Sequence, residues 1–478
     1  MNVRLITTLT FIMPILLMAQ ESPKAQQFGL EDCIAYALEN ATSAKNARLD
    51  ERSAESKVKE TVGIGLPQIS GNLSAQRSPE LSRYYAQYFP TPPGEEPSGF
   101  GPSDAEAQAL GMQAGDVFAA QNFFQLKSAG DASLSIDQLI FSGSYIVGLQ
   151  ASNAYKDLAI RQKVKTEGDI KSDVAKAYFN VLINQDRERL FTANIARLDT
   201  LYRNTIELNK NGFAEQIDVD RLKVSLNNMK SEEQNIKNLN ILSMRLLKFQ
   251  MGYPLSEPLE LAGTIDDVLS APLGEISTDV TYANRPDYQV LMANKDLQQL
   301  NLKNKYAEAL PTIGAFAKLG YNTQSPSFSG LFKTESSFSE QQGVGPDQWY
   351  NYSTLGVRLS WNIFTGTQRT FQIQQQKIEL EKIENNINQF EQMIHVEVQE
   401  AALTLENALQ RFEVQKENTE LAENIFRITQ LKYEQGVGSN LEVIEADSAL
   451  KEAQTNYYNS LFAAIIAKID LSMALGEN

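Results

Sequence analysis

The 478 residues contain one cysteine, Cys33, and one histidine, His395. No disulfide can close within the chain. A Cys/His metal cluster or a Cys–His nucleophile pair has only these two residues to draw on, and they lie far apart. Both are read as structural, and no metal, cofactor or catalytic residue is expected. Basic residues are the minority, 43 Lys+Arg against 59 Asp+Glu, which argues against nucleic acid as a partner. Beyond residue 19 there is no run of 18 apolar residues, so no membrane-spanning helix is expected. Any segment that crosses a bilayer must then be a strand.

The long apolar run that is present lies at the N-terminus. Arg4 precedes "LITTLTFIMPILLMA", and Ala19 suits the position before a cleavage point. The spacing predicts a signal peptide over 1–19, cleaved before Gln20, and an exported protein. Cys33 lies too far past this run, and in the wrong context ("LED" before it), for lipidation.

The rest of the chain repeats itself. "GLPQISGNLSA" (65–75) is echoed by "ALPTIGAFAKL" (309–319), and Pro67 and Pro311 are 244 apart. "SLSIDQLIFSG" (133–143) is echoed by "GVRLSWNIFTG" (356–366), with Gly143 and Gly366 223 apart. Gly212 and Gly436, and likewise "FQMG" (249–252) and "MALG" (473–476), are 224 apart. A duplicated unit of about 224 residues, with a longer loop early in its first copy, is the simplest account. The first repeat covers 20–251, with strands near 65–76 and 132–142 and long helices near 143–210 and 215–251. A joint over 252–280 follows. The second repeat covers 281–478, with strands near 310–320 and 354–364 and long helices near 366–435 and 439–475. Each repeat is expected to open on one helix, Leu30–Val62 and Thr281–Glu308.

The strands alternate. Leu355, Val357, Leu359, Trp361 and Ile363 interleave with Gly356, Arg358, Ser360 and Asn362; Ile69, Leu73 and Ala75 interleave with Ser70, Asn72 and Ser74. Phe316 breaks the rule in Pro311–Leu319. Strands of this length and pattern fit a water-filled transmembrane barrel, and they fit a sheet with one wet face equally well. The helices carry a second period. From Leu380 to Phe412 the apolar positions advance about 3.56 residues per turn, between a heptad and a straight helix, which predicts a weakly supercoiled side-by-side array. A 68-residue helix over Gly143–Lys210 would reach roughly 100 Å.

Signal peptide, twofold repeat, strand pairs, long helices and two glycine turns together resemble the TolC-type outer-membrane efflux and secretion channels. The resemblance rests on the order and spacing of short motifs such as "FSG"/"FTG" and "YEQGVGSNLEVIEADSAL". It implies an α+β membrane protein: a long α-helical coiled-coil barrel continuous with a transmembrane β-barrel, four strands per chain and twelve in a homotrimer. It implies a passive exit duct in the outer membrane. A periplasmic adaptor and an inner-membrane pump would engage the hairpin tips, Gly212–Phe213 and Gly436–Val437. It places Glu442 and Glu445 at the narrow periplasmic end and makes Asp218 and Tyr433 closed-state contacts. Gly438 departs from the pattern, standing where a basic locking residue is common. Glu442 has a second reading, because "SNLE" fits a helix-capping box with Ser439 as N-cap. Asp447 is expected on a solvated face. The loops 77–130 and 320–353 are read as a packed cap or as mobile surface. The rival to a channel is a periplasmic trimeric coiled-coil scaffold with no pore.

Overall fold

A computed structural model describes residues 27–92, 94, 101–122, 124–265, 278–333 and 349–477. The expected signal peptide lies outside the described residues. In chain order the elements are β1 (Gln27–Phe28), α1 (Leu30–Asn40), α2 (Thr42–Ile64), β2 (Gln68–Arg77), β3 (Arg83–Gln87), α3 (Asp104–Ala109), β4 (Val117–Gln121), β5 (Ser128–Phe141), α4 (Gly143–Lys210), α5 (Gln216–Met251) and β6 (Glu260–Leu261). After a 3-10 turn, Tyr282–Asn284, come α6 (Pro286–Ala307), β7 (Thr312–Ser325), β8 (Tyr350–Ser360), α7 (Gln368–Glu434) and α8 (Asn440–Leu475). The chain divides into two compact units, one of residues 1–54, 154–296 and 380–478, the other of residues 55–153 and 297–379.

The first unit is a helical bundle. Along α7, Ile387, Ile394, Val398, Leu405 and Phe412 are buried, the face that the 3.56-residue period marks. Ile394, Val398, Leu405 and Phe412 pack with Leu461, Ile465 and Leu471 of α8. A second core joins α1, α4 and α5 through Cys33, Ala37, Val174, Val181, Leu247 and Met251. Burial pushes the Cys33 thiol up to about 12, which keeps it protonated and inert. A third core, near the ends of the long helices, gathers Leu198, Leu222, Leu226, Ile236, Phe426, Val443 and Leu450. By length and composition alone α8 is apolar enough to cross a membrane. Its apolar residues are spent instead on the first of these cores.

The helices that open each repeat are broken, where one continuous helix was expected. Ala41 leaves the helical region with φ −58° and ψ 139°, separating α1 from α2. In the second repeat Arg285 does the same, with φ −79° and ψ 120°. Each break lies against the glycine that ends a long helix. A Cβ on Gly252 would stand 2.6 Å from the Asn40 carbonyl oxygen, and one on Gly476 would stand 3.1 Å from that of Asn284. Both glycines are left-handed, with φ 68° and 77°. The C-terminal ends of α5 and α8 thus seat on interrupted backbone, a duplicated contact that side-chain periodicity does not report.

The second unit holds an antiparallel sheet in the order β2–β5–β7–β8. Its register stacks Ile69, Ile136, Ala317 and Leu355 in one cross-strand row and Ser70, Ser135, Lys318 and Thr354 in the next. Successive residues face opposite sides of a sheet, so one face is apolar and the other polar. On the polar face Asp131 accepts hydrogen bonds from Tyr352 (2.5 Å), Ser133 (2.8 Å) and Asn72 (3.3 Å). The Lys318 ammonium stands 3.7 Å from it. Phe316 belongs to this polar face. It pairs with Gly356, whose missing side chain leaves space for the ring, and the Arg358 guanidinium lies 5.0 Å over it. The aromatic that breaks the alternation fills the gap over a glycine.

The last strand ends earlier than its apolar alternation. β8 pairs with β7 only as far as Thr312↔Ser360. Its partner begins just after Pro311, which has no amide to offer, and the residues before it are in a turn, where the Leu310 amide bonds the Ala307 carbonyl. Trp361 and Ile363 therefore lie beyond the ladder. At the other end β5 and β7 extend past their expected limits, through polar residues that carry no alternation.

The described parts of both long loops hold a few buried contacts, while Tyr85, Phe124 and Phe332 stay exposed. Within 77–130, β3 and β4 form a hairpin. The buried Tyr88 donates to Asp104 at 2.7 Å, and the Thr91 amide donates to the same carboxylate at 3.1 Å. These bonds, Tyr88 foremost, hold the Asp104 carboxyl below the usual range. In the second loop Leu331 is buried and its carbonyl accepts the Trp349 indole N–H at 3.0 Å.

Arg285 tests the seat under α8. It is buried, and its guanidinium reaches Asp287 at 2.6 Å, Glu397 at 2.8 Å and the Ala474 carbonyl at 2.9 Å. Burial raises the Asp287 carboxyl, and the bonds from Arg285 outweigh it and leave the pKa lowered. That contribution to stability is present above the ordinary carboxylate pKa and lost as pH falls through the lowered one. Arg285→Met should cost about 3 kcal/mol, since it strands two carboxylates and a helix terminus. The measurement is thermal unfolding followed by circular dichroism, and the variant should also lose the acid-side fall in stability that Asp287 gives the parent.

Candidate functional site at the helix-hairpin tips

α4 turns into α5, and α7 into α8, through the same backbone device. At the first tip the Gly212 amide bonds the Asn209 carbonyl at 2.9 Å and the Phe213 amide bonds the Leu208 carbonyl at 2.9 Å. At the second, Gly436 bonds Tyr433 and Val437 bonds Lys432, both at 3.0 Å. This pair of bonds, closing on a left-handed residue, ends a helix with its last carbonyls satisfied. Gly212 and Gly436 have φ 78° and 72°. The residue after each glycine is thrown outward: Phe213 is 81% exposed and Val437 77%. A large apolar side chain so placed on a bare turn has no packing role within the chain.

The returning helices start differently. Ser439 caps α8, its hydroxyl oxygen accepting the Glu442 amide at 3.3 Å. The Glu442 carboxylate makes no hydrogen bond among the described residues, so the backbone half of a capping box is present without the carboxylate half. At α5 the Asp218 carboxylate accepts the Glu215 amide at 3.3 Å. Glu442 and Glu445 are both exposed, on one face of α8. Gly438 packs on the last turn of α7, where a Cβ would lie 3.0 Å from that of Lys432. A larger residue there must push Lys432 aside.

Asp218 and Tyr433 are near neighbours that do not bond each other. The Tyr433 hydroxyl pairs with Thr205 at 3.1 Å. Its pKa is raised, by burial first and by the negative charge of Asp218 as well. The Asp218 carbonyl accepts from the buried Asn440 amide at 2.8 Å. This bond ties the start of one hairpin's returning helix to the start of the other's.

Asp447 is buried, contrary to the solvated face expected of it. It sits on the row Val443–Asp447–Leu450–Gln454–Tyr458, all of them buried. The row faces α4, and the polar members meet polar partners there. Tyr458 donates to Asp186 at 2.5 Å, Asn194 donates to Gln454 at 2.8 Å, and the Arg197 guanidinium stands 3.8 Å from Asp447, too far for a hydrogen bond. Arg197 also lies 4.3 Å over the Phe426 ring. Burial lowers the Arg197 pKa and raises that of Asp447. A polar seam therefore runs between the two hairpins above their tips. Its signal in the sequence is a set of polar residues in the register of an apolar stripe.

Among the described residues no group of His, Cys, Asp and Glu could hold a metal ion. The arrangement supplies no nucleophile–base pair. What it offers is two exposed apolar tips, an exposed acidic face and a seam that links the hairpins.

A bundle of very long helices in one chain with a four-stranded antiparallel sheet, apolar on one face, is the fold of the outer-membrane channels. The solved structure of the outer membrane protein VceC from Vibrio cholerae matches 94% of this chain and 96% of its own, with TM-score 0.64 at 16% identity. The CmeC outer membrane channel of Campylobacter jejuni matches over 94% and 85%, with TM-score 0.66 at 15% identity. The outer membrane efflux protein family matches residues 279–477. A probable efflux pump outer membrane protein of Pseudomonas putida, TtgC, is 24% identical over 322 residues, 65% of this chain and 61% of its own. The chain thus spans less than two thirds of the length of the curated relatives it matches. Its fold is like that of these channels, and its residues 279–477 match the outer membrane efflux protein family.

The seam yields a test. Arg197→Leu leaves the Asp447 carboxylate buried without its cation, and thermal unfolding should fall by about 2–3 kcal/mol, below the full buried-pair value because Arg197 keeps a third of its side chain in water. The folded state holds the Asp447 proton more tightly than the unfolded chain does, so protonation favours the fold. Stability owed to this group rises as pH falls from its raised pKa toward the ordinary carboxylate value. Asp447→Asn should remove that rise.

Proposed function

We propose that this chain is one protomer of an outer-membrane exit duct, a passive conduit with no catalytic activity. It would be driven by an inner-membrane pump through a periplasmic adaptor. The observation that carries the reading is the sheet. Its apolar face is exposed, with Leu73 of β2 and Leu355, Val357 and Leu359 of β8 all on the surface. Among the described residues, its outer strands β2 and β8 each have one edge with no strand paired to it. Hydrocarbon does not tolerate unpaired backbone, so such a sheet can enter a membrane only if other copies close it. Three copies give twelve strands, an ordinary size for an outer-membrane barrel.

The bundle also calls for neighbouring chains. α7 leaves Val396, Leu403, Leu421, Ile425 and Ile428 exposed, and α5 leaves Val224, Leu242 and Phe249 exposed. Apolar stripes of that length on two helices call for neighbouring helices. A pore-free scaffold would use these stripes equally well, but it gives no reason for the apolar sheet face.

In a closed trimer three copies of Glu442 and Glu445 would form stacked carboxylate rings at the narrow end, concentrating cations. The tips would dock the adaptor through Phe213 and Val437. Purified full-length protein in planar bilayers should conduct, and a soluble trimer without conductance would refute the duct. In the same assay Glu445→Gln should lower the cation-to-anion permeability ratio, and an unchanged ratio removes Glu445 from the constriction. The double variant Phe213→Asp/Val437→Asp should abolish cross-linking to the adaptor while the trimer persists on native gels; retained cross-linking would show that docking does not use the tips.

A further inference from the structure

α7 and α8 enclose a polar groove midway along α8, with a volume of about 790 Å³. From α7 it takes Thr404, Asn407, Arg411 and Gln415, and from α8 Asn456 and Asn459. Among the described residues its apolar lining is limited to Ala408 and Ala463, and no carboxylate lines it. That is uncommon ground in a chain of net charge −16. The nearby carboxylates of α7, Glu406, Glu413 and Glu420, are exposed. At about 100° per residue they lie on the side of the helix away from Arg411. The side chains of Arg411, Gln415, Asn456 and Asn459 make no hydrogen bond or ion pair among the described residues.

The groove belongs to a definite face. On α8 the exposed residues Glu442, Glu445, Glu452, Asn456, Asn459 and Ala463 follow one another by steps of three, four or seven, so they form one row along the helix. The row starts with carboxylates near the tip and changes to amides at Asn456. The joint between the repeats meets α7 elsewhere. The Tyr282 hydroxyl pairs with His395 Nε2 at 2.6 Å, and Tyr288 donates to Glu391 at 2.9 Å. His395 and Glu391 both lie roughly half a turn round the helix from Arg411.

A guanidinium presents a planar fork of donors that fits a carboxylate through two parallel hydrogen bonds, and such charge-assisted bonds are roughly twice as strong as neutral ones. The amides beside it add donors and acceptors without adding charge. A lining with no large apolar side chain gives a greasy molecule no surface to bury. We propose that the groove is a weak subsite for hydrophilic organic anions that bear a carboxylate, held by Arg411 and steadied by Gln415, Asn456 and Asn459. Its place on the wall of a conduit rests on the duct reading. In a conduit such a site must be weak enough to release what it binds, and a single fork open to solvent meets that condition. It gives a path that begins at carboxylates a separate means of passing anions.

Gluconate, a carboxylate on a chain of hydroxyls, is the probe, and sorbitol, the same chain without the carboxylate, is the control. Full-length protein in detergent micelles should bind gluconate with a dissociation constant on the order of millimolar, read by saturation-transfer NMR. Arg411 is exposed, so Arg411→Gln should leave the melting temperature unchanged. It should weaken gluconate binding about tenfold. Arg411→Lys, which keeps the charge and loses the fork, should restore only part of the binding. Equal binding by the parent and Arg411→Gln, or equal binding of sorbitol and gluconate, overturns the subsite. In planar bilayers the parent should pass gluconate, and Arg411→Gln should lower the gluconate-to-potassium permeability ratio. Conductance without Arg411-dependent binding overturns the subsite and leaves the duct standing. Arg411-dependent binding without conductance overturns the duct and leaves the subsite as a property of the groove.

Discussion

A backbone amide in hydrocarbon must find a carbonyl, because no water is there to replace one. The four-stranded sheet meets this demand along β5 and β7 and leaves it unmet along the outer edges of β2 and β8. That deficit organises the reading of the molecule. It is the reason for proposing that other copies of the chain close the sheet. Polar residues such as Asp131, Lys318 and Tyr352 collect on one face of the sheet, where they bond one another. It also separates this sheet from a soluble one. A soluble sheet would cover Leu355, Val357 and Leu359 with a helix; here they are bare.

The helical unit obeys a different constraint, the burial of a stripe. Where the stripe is apolar throughout, the packing is ordinary, as in the row from Ile394 to Phe412. Where polar residues enter it, they meet their counterparts on α4 in order: Tyr458 with Asp186, Gln454 with Asn194, Asp447 with Arg197. Buried polar groups that must match in pairs fix the register of one helix against another, since a shift of one turn would leave several of them unsatisfied. The seam thus gives the two hairpins a definite relative height without a large gain in stability. The pair at 3.8 Å contributes least to that height and is the easiest member to part.

Much of this was legible in the sequence, and the exceptions have physical causes. The long helices and both glycine turns are written in periodicity and in the need for left-handed residues at helix ends. The breaks at Ala41 and Arg285 are not. They come from the approach of Gly252 and Gly476, a tertiary contact between segments about 200 residues apart in the chain. Phe316 breaks the strand alternation because the residue opposite it is a glycine, and cross-strand pairing is invisible until the register is known. Asp447 was misplaced by its charge. Its position, four residues after Val443 and three before Leu450, marks it as a stripe residue. The carboxylates at 442 and 445 are singled out by the resemblance; they lie exposed on one face of α8, and nothing in a single chain says what that face surrounds.

The seats at Gly252 and Gly476 have a mechanical meaning. α5 and α8 are each 36 residues long, about 54 Å at the rise of a helix. Each is held at one end where its closing glycine meets interrupted backbone, joined at Gly476 by the Arg285 side chain, and ends at the other in an exposed tip. That is a lever with a hard fulcrum. A tilt of about 5° at the glycine contact carries the far tip through roughly 5 Å by the length of the helix alone, and the core of Leu222, Val443 and Leu450 beside the tips must move with it. Because the fulcrum is duplicated, the two hairpins have levers of equal arm, and any force at the tips reaches both pivots with the same leverage.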